Sequence, residues 1–483
     1  MTKITINGRA VEADPKKPLI YACHENGADV PMYCYHPGLT PVGSCRICQV
    51  EVQQGTGPAR VVVACRTPVA EGMVVNTDAP KAHDVRRECL EFLLKNHPLD
   101  CPICDKAGEC DLQDYAFAEG QGEGRTNEPR RKLDKRKSLG DVIVLDEERC
   151  ILCSRCVRFM EEIPKTPQLA VVDLGSRSTI ATFMDRPLKG NYQGNLADVC
   201  PVGALTLKNF RFQARVWNLK KSLSTCGECS RGCAISVEVL RNKDVKRFRP
   251  RYDAAVNQWW MCDTGRFSAD RHNAIERLVP AARRTSKGLE VASVADALAQ
   301  AANGLRAKSG VAAIASPFMT VEEAKSFSAL AKSLGAKAQF VSPASSGLKD
   351  SLLNTGDPCP NRRGLLELGF EAISAESARS RVAESGACVL AGERVIELCG
   401  RAELAAIEGA HIVTFDTHAL EGGSVDVCVG TPEQVEKIGH WVNVDGHVGK
   451  LTIARAAPSG VEPLTRTLDT LCSLLATSGA NAR

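Results

Sequence analysis

The chain is long, carries little net charge and contains many cysteines. Its 483 residues predict about three or four domains, and its formal charge of +4 argues against nucleic-acid binding. The 22 cysteines fall well below the roughly 8–10% of residues that marks a disulfide scaffold. The opening MTKITINGRA is strand-like rather than a signal peptide, so we expect reduced, intracellular thiols. No run approaches the ~20 apolar residues that cross a bilayer.

Residues 1–78 combine a hairpin signal, a helix and four spaced cysteines. Isoleucines alternate with polar residues up to Asn7-Gly8, the strongest two-residue hairpin signal. A helix is predicted over residues 18–27, and Cys23 on it is interpreted as a core residue. The candidate ligands have the spacing C-x10-C-x2-C-x16-C and are Cys34, Cys45, Cys48 and Cys65. This order predicts a β-grasp ferredoxin domain with a 2Fe-2S centre.

Residues 79–118 contain a second set of ligands, in the stretch NHPLDCPICDKAGEC. A helix over residues 80–96 is predicted from apolar positions at helical spacing, which would form its packed face: Val85, Cys89, Phe92 and Leu93. The four soft ligands that follow are His97, Cys101, Cys104 and Cys110. They lie in one loop, whereas zinc fingers usually pair two short turns, so the pattern favours a 4Fe-4S cubane.

His97 has a second interpretation, as a residue that caps the end of the helix. The three thiolates of this loop leave a cubane one ligand short, and Cys89 is predicted to point into packing. The count therefore favours His97 as the fourth ligand.

Residues 119–218 carry a bacterial ferredoxin signature. The glycine-rich and basic segment 119–140, including PRRKLDKRK, is predicted to be a linker or surface loop. The ligands have C-x2-C-x2-C spacing with a distant cysteine-proline: Cys150, Cys153, Cys156 and Cys200. In two-cluster ferredoxins the last cysteine serves the other cluster. No second complete run is present, so we assign Cys200 to the same 4Fe-4S centre.

A fourth set lies within residues 219–275, where a strand-like AISVEVL separates the third cysteine from the fourth. Its members are Cys226, Cys229, Cys233 and Cys262. A zinc-only interpretation of all four sets would leave the cysteine-proline signature unexplained, so clusters are favoured.

Residues 276–483 predict a doubly wound α/β domain. Val311 to Ser316 is an apolar strand, Thr320 and Glu323 form a capping box, and a second strand follows at 338–341. The same rhythm returns at 387–392 and 410–416. There is no G-x-G-x-x-G and no phosphate loop. The isolated cysteines are interpreted as small hydrophobic residues: Cys359, Cys388, Cys399, Cys428 and Cys472.

Four ligand sets in this order, the second headed by a histidine, resemble the large iron-sulfur subunit of complex I, the 75 kDa or G-subunit family. The resemblance covers roughly residues 1–270. It implies one 2Fe-2S and three 4Fe-4S clusters, the fourth of a kind found in some bacterial members and thought to lie off the main electron path. The remainder is similar to a shortened molybdopterin oxidoreductase domain. Just after Cys262, the last cysteine of the fourth set, this chain has Asp263-Thr264-Gly265 where active pterin enzymes carry a lysine, so no molybdopterin is expected.

The resemblance also implies a function. It predicts an electron carrier within a proton-translocating NADH:quinone oxidoreductase, with NADH, FMN and quinone on other subunits. The alternative is the iron-sulfur subunit of a soluble NAD-linked formate dehydrogenase or hydrogenase. No catalytic residue is predicted. The expected partners are a flavin subunit and a two-cluster ferredoxin subunit, at the cytoplasmic face of the inner membrane, with membrane contact only through the complex.

Overall fold

The computed structural model describes residues 1–274, 277–278, 280–418 and 425–477. It divides into two compact units, Met1–Asn218 and Leu219–Arg483. The predicted boundary between residues 275 and 276 lies outside the described residues, as do residues 478–483 of the last predicted domain.

The first unit is built from short strands and helices. Its strands are β1 (Thr2–Ile6), β2 (Arg9–Ala13), β3 (Gln49–Gln54), β4 (Arg60–Val63), β5 (Met73–Asn76), β6 (Lys137–Ser138), β7 (Ile143–Leu145), β8 (Leu169–Val172), β9 (Thr179–Thr182) and β10 (Leu205–Leu207). Its α-helices are α1 (Leu19–Glu25), α2 (Pro80–Asn96), α3 (Asp111–Glu119), α4 (Arg155–Glu162) and α5 (Asn195–Val199).

The N-terminal sheet has the order β2-β1-β5-β3-β4 and holds α1 against one face. The hairpin expected at Asn7-Gly8 is present, because both residues adopt the positive φ angles, 49° and 79°, that such a turn requires. Gly27 follows α1 with φ 74°, as expected for the end of a helix. Cys23 is fully buried in the apolar core, which agrees with its interpretation as a core residue.

Helix α2 spans the predicted residues, but the prediction of its packed face was right only in part, since Val85 and Leu93 are half-buried. The buried side chains are Ala82, Arg86 and Leu90, whereas Phe92 is 79% exposed. Cys89 is only half-buried. An arginine occupies the middle of the buried face because its guanidinium finds backbone and carboxylate acceptors there.

Two smaller sheets, β10-β7-β6 and β8-β9, complete the first unit. Residues 120–136 contain no regular element and are largely exposed, as predicted for a surface segment. The basic run within it is not wholly solvated, however. Lys135 forms ion pairs with Asp100 at 2.7 Å and with Glu148 at 2.6 Å.

The second unit contains the remaining elements. Its strands are β11 (Leu219–Thr225), β12 (Ala234–Leu240), β13 (Asp244–Pro250), β14 (Ala281–Thr285), β15 (Gly288–Ala292), β16 (Val311–Ala315), β17 (Ala338–Val341), β18 (Glu371–Ile373), β19 (Ala387–Ala391), β20 (His411–Asp416), β21 (Val425–Gly430), β22 (Gly439–Val442) and β23 (Val448–Leu451). Its α-helices are α6 (Asp263–Phe267), α7 (Arg271–Ala274), α8 (Val294–Arg306), α9 (Val321–Ser333), α10 (Arg362–Glu367), α11 (Ala375–Glu384), α12 (Val395–Cys399), α13 (Arg401–Ala405) and α14 (Leu464–Thr477).

An eight-stranded sheet dominates this unit, in the order β15-β14-β21-β20-β19-β16-β17-β18. Its six strands from β21 to β18 are parallel. Helices α8, α9 and α14 cover one face, and α11, α12 and α13 cover the other. The chain order reverses between β16 and β19, which is the topology of a doubly wound sheet. The capping box of Thr320 and Glu323 is present at the start of α9.

Candidate metal centres

The first candidate set lies in the loop between α1 and β3 and just after β4. The backbone N–H of Cys34 donates to Cys45 Sγ at 3.4 Å. Hydrogen bonds from the Cys45 and Cys65 thiols lower the pKa of Cys34, and the Cys65 thiol likewise lowers the pKa of Cys48. The four sulfurs of this set are therefore close together. Arg46, between two of the cysteines, adopts φ 60°, so the loop turns sharply where it presents its thiols.

The second set surrounds a cavity of about 280 Å³. Its lining includes all four predicted ligands, His97, Cys101, Cys104 and Cys110, together with apolar residues and Arg149. His97 caps the end of α2 and is half-buried. Burial, then the charge of Arg149, lowers the pKa of His97 to about 4. The imidazole is therefore neutral at pH 7, the form that binds metals, so the cap position and a ligand role are compatible.

The third set also encloses one cavity, lined by Cys150, Cys153, Cys156 and Cys200 with aliphatic side chains between them. Cys156 lies in the first turn of α4, and Cys200 directly follows α5. The N–H of Leu152 donates to Cys150 Sγ at 3.4 Å. Burial raises the pKa of Cys150 to about 12 and that of Cys153 to about 11. Free thiolates are thus disfavoured here, and bound iron would supply the positive charge that compensates them.

The fourth set is buried in the second unit. Its first three cysteines lie between β11 and β12, where Cys226 N–H donates to the Cys233 carbonyl at 2.8 Å. Cys262 caps α6 and accepts a hydrogen bond from Gly265 N–H at 3.4 Å. A Cβ on Gly265 would lie 2.8 Å from Cys226 Sγ and 3.7 Å from Cys262 Sγ. This glycine therefore leaves space beside the thiols of Cys226 and Cys262. Burial, and after it the charges of Cys233, Cys262 and Cys229, raise the pKa of Cys226, so the four thiols lie near one another.

Within the first unit, the loop that carries Cys200 of the third set contacts the loop of the second set. The Asp111 N–H, next to Cys110, donates to the Pro201 carbonyl at 3.2 Å. A Cβ on Gly203 would lie only 2.2 Å from Cys104 Sγ. Gly203 belongs to the Cys-Pro-Val-Gly run of the third set, so a glycine is required where the two ligand loops meet.

Sequence reasoning missed the residues that link the sets. Gly203 lies three residues after Cys200 in the cysteine-proline motif, and this position in the sequence could have identified it. Arg149, Arg155 and Arg158 are buried beside the ligands, yet arginines in such a motif carry no sequence signal of burial.

These residues fit clusters by their donor chemistry, because soft thiolates and one imidazole are the ligands that iron-sulfur centres take. Among the residues that the structure describes, no group of three or more His, Cys, Asp and Glu side chains is placed to hold a single metal ion.

Four family models match the chain, and each match covers one ligand set. They are a 2Fe-2S iron-sulfur cluster binding domain over residues 1–80 and the NADH-ubiquinone oxidoreductase-G iron-sulfur binding region over 86–125. The ferredoxin-like domain of NADH-quinone oxidoreductase subunit 3 matches 140–206, and the molybdopterin oxidoreductase Fe4S4 domain matches 219–274. The chain is thus an iron-sulfur protein of several cluster-binding domains.

Curated relatives identify the family. The G subunit of NADH-quinone oxidoreductase from Rickettsia felis is 36% identical over 69% of this chain and 49% of that protein. The mitochondrial NADH-ubiquinone oxidoreductase 78 kDa subunit of Neurospora crassa is 41% identical over 62% of this chain and 40% of that protein. The chain belongs to the G-subunit family of NADH-quinone oxidoreductase, and it spans about half the length, or less, of these relatives.

One solved structure is also similar. It is the crystal structure of an NAD+-reducing NiFe-hydrogenase in the H2-reduced state, 28% identical, which covers 44% of this chain and 91% of that chain with a TM-score of 0.40. A similarity of this size carries no argument about function.

Proposed function

We propose that this chain is an iron-sulfur electron-transfer subunit of a proton-translocating NADH:quinone oxidoreductase. In that role it passes electrons from a flavin subunit toward the quinone-reducing module. The observation that carries the proposal is the convergence of each predicted ligand set. The second set and the third set each line a single cavity, although the members of the third set are up to 50 residues apart in sequence.

The clusters would supply one-electron transfer when bound. The chain's own residues hold and shield them. Leu145, Ile180 and Leu205 exclude water around the third set, and the N–H groups of Leu152 and Gly265 donate to ligand sulfurs. Hydrogen bonds to sulfur and burial both tune the potential of such centres. We assign the fold of residues 1–78 to the β-grasp ferredoxins because one helix packs on its five-stranded mixed sheet.

We assign no molybdopterin to the α/β domain. In doubly wound sheets, cofactors bind at the carboxyl ends of the strands beside the point where the chain order reverses. Here the buried Lys437 lies at that edge, paired with Glu323 at 3.3 Å and Glu393 at 3.7 Å. It also donates to the Phe318 carbonyl at 3.0 Å. These buried, paired side chains at the carboxyl edge of the sheet support the assignment.

Metal analysis of the anaerobically prepared full chain tests the function. We expect about 14 irons per chain, from one binuclear and three cubane centres, matched by acid-labile sulfide. About one molybdenum or nickel per chain would contradict the proposal and point to a formate dehydrogenase or hydrogenase subunit. Stoichiometric zinc in a colourless protein would rule out an electron-transfer role.

We also propose that the chain works at the cytoplasmic face of the inner membrane, between a flavin subunit and a two-cluster ferredoxin subunit. No helix in the described residues is long and apolar enough to cross a membrane. Fractionation of native membranes tests the placement, since the chain should sediment with flavin and with a second iron-sulfur protein. Recovery as a free monomer without flavin would contradict it.

A further inference from the structure

Two buried arginines of the third ligand set reach across to the first. Arg155 and Arg158 lie one turn apart on α4 and are 4% and 8% exposed. Arg158 donates to the Cys34 carbonyl and the Thr40 carbonyl, each at 2.5 Å. Arg155 donates to the Tyr35 carbonyl at 2.5 Å. Three carbonyls of the first ligand loop therefore bind guanidinium groups of the third set's helix.

The same two guanidiniums also contact the backbone of their own set. Arg158 donates to the Cys153 carbonyl at 3.4 Å, and Arg155 donates to the Val199 carbonyl, next to Cys200, at 3.3 Å. A single side chain, that of Arg158, thus binds the carbonyl of a candidate ligand in each set. Its planar fork of five N–H donors makes this possible.

Few carboxylates lie close enough to balance the positive charges of Arg155 and Arg158. In the described part of the chain, Arg158 forms no ion pair, and its hydrogen bonds all go to uncharged oxygens. The carboxylate closest to Arg155 is Asp111, at 3.9 Å. A buried charge without a counter-ion is strongly unfavourable. Four thiolates around iron carry net negative charge, and a centre on each side of Arg158 would balance it.

We propose that Arg158 is a positioning residue of the electron path, an inference that rests on the proposed function. It holds the first and third ligand sets at a fixed separation, and its charge raises the midpoint potentials of both centres. The positive charge favours the reduced, more negative state of each cluster. Because one guanidinium binds both loops, the two potentials respond together.

The test compares Arg158→Gln with Arg158→Lys in the iron-replete full chain. Glutamine keeps a hydrogen-bond donor but removes the charge, whereas lysine keeps the charge but loses the planar fork. Redox titration followed by electron paramagnetic resonance should show both midpoints lowered in Arg158→Gln and near wild type in Arg158→Lys. The magnetic interaction between the first and third centres should change in Arg158→Lys, because one ammonium cannot bind both loops in the same geometry.

Glu162→Gln is the matched control. Glu162, on the same helix, accepts a hydrogen bond from Thr40 N–H at 2.8 Å, so it joins the same two elements with the opposite charge. This variant should not lower either midpoint. Wild-type midpoints in iron-replete Arg158→Gln, or an unchanged magnetic interaction in Arg158→Lys, would overturn the inference. If Arg158→Gln loses iron, the magnetic interaction measured in Arg158→Lys decides the inference. Absence of both signals from the wild-type protein would instead contradict the proposed function.

Discussion

At the scale of single residues, Gly203 shows how two ligand loops share space. A methyl group there would lie 2.2 Å from Cys104 Sγ, well inside van der Waals contact. We predict that Gly203→Ala displaces Cys104 and makes the second centre labile, with loss of its paramagnetic signal and of up to about four irons per chain. Metal analysis and electron paramagnetic resonance of the purified variant measure both.

Gly124→Ala is the control for this substitution. Gly124 is exposed, a Cβ there meets nothing within 4 Å, and its φ is not in the left-handed region. This variant should keep the full iron content. An iron-replete Gly203→Ala with an unchanged second signal would show that the loops separate easily.

His97 offers a second prediction at this scale. A neutral imidazole removes one negative charge from a cluster relative to a fourth thiolate, which raises the potential. His97→Cys should therefore retain the second centre at a lower midpoint, and His97→Ala should make it labile. Redox titration of both variants decides the matter. Unchanged signals and midpoints in both would mean that His97 only caps α2.

At the scale of elements, α2 is held by a polar anchor. Arg86 donates to the Gln49 carbonyl at 3.0 and 2.7 Å and to the Thr77 carbonyl at 2.8 Å, and it pairs with Glu119 of α3 at 2.7 Å. His83 also contacts Glu119, at 2.5 Å. One guanidinium thus joins α2 to the N-terminal sheet and to α3.

Arg86→Met should destabilise the first unit by about 3–5 kcal/mol, because it leaves two buried carbonyls without their donor and leaves Glu119 with His83 as its remaining partner. Urea unfolding followed by circular dichroism measures the change. Arg87→Met is the control, since Arg87 is 45% exposed and pairs with a still more exposed Asp84. It should change the unfolding free energy by no more than about 0.5 kcal/mol. Equal effects of the two substitutions would contradict the anchoring role.

At the scale of the whole molecule, three ligand sets lie in the unit 1–218 and the fourth lies in the unit 219–483. The loop of the fourth set is held by the α/β part of its own unit. Ser230 N–H donates to the Asp357 carbonyl at 2.8 Å, and Val444 N–H donates to the Ser230 carbonyl at 2.9 Å. This set is therefore tied into the fold of the second unit.

We predict that the fourth centre serves assembly more than electron flow. Cys229→Ala should lower the yield of assembled complex more than the turnover of each assembled complex, because the cysteine loop and the α/β domain support one another. Quantifying complex by native gel and assaying NADH oxidation per complex gives both values. Cys153→Ala, in the third set, is the comparison and should abolish turnover. Normal assembly of Cys229→Ala without turnover would place the fourth centre on the path.

Local features of this protein could be predicted from the sequence alone. The Asn7-Gly8 turn, the capping box of Thr320 and Glu323 and the four predicted strands of the α/β domain, β16, β17, β19 and β20, depend on neighbouring residues and short periodicities, and all appear as expected. Each of the four ligand sets also contains a C-x2-C pair, and that spacing is equally local. Each predicts a loop that wraps a centre, because a few residues of chain fix how closely two thiols can approach.

Contacts between side chains that are far apart in sequence became visible only in the folded chain. Arg158 is 124 residues from Cys34, and no periodicity in the sequence of α4 predicts the hydrogen bond between them. The buried face of α2 was partly misjudged for the same reason. Apolar spacing predicts burial against an unspecified core, whereas the acceptors that bury Arg86 belong to β3, to Thr77 and to α3. A guanidinium is buried wherever the fold satisfies its hydrogen bonds and balances its charge, and that depends on residues the local sequence does not contain.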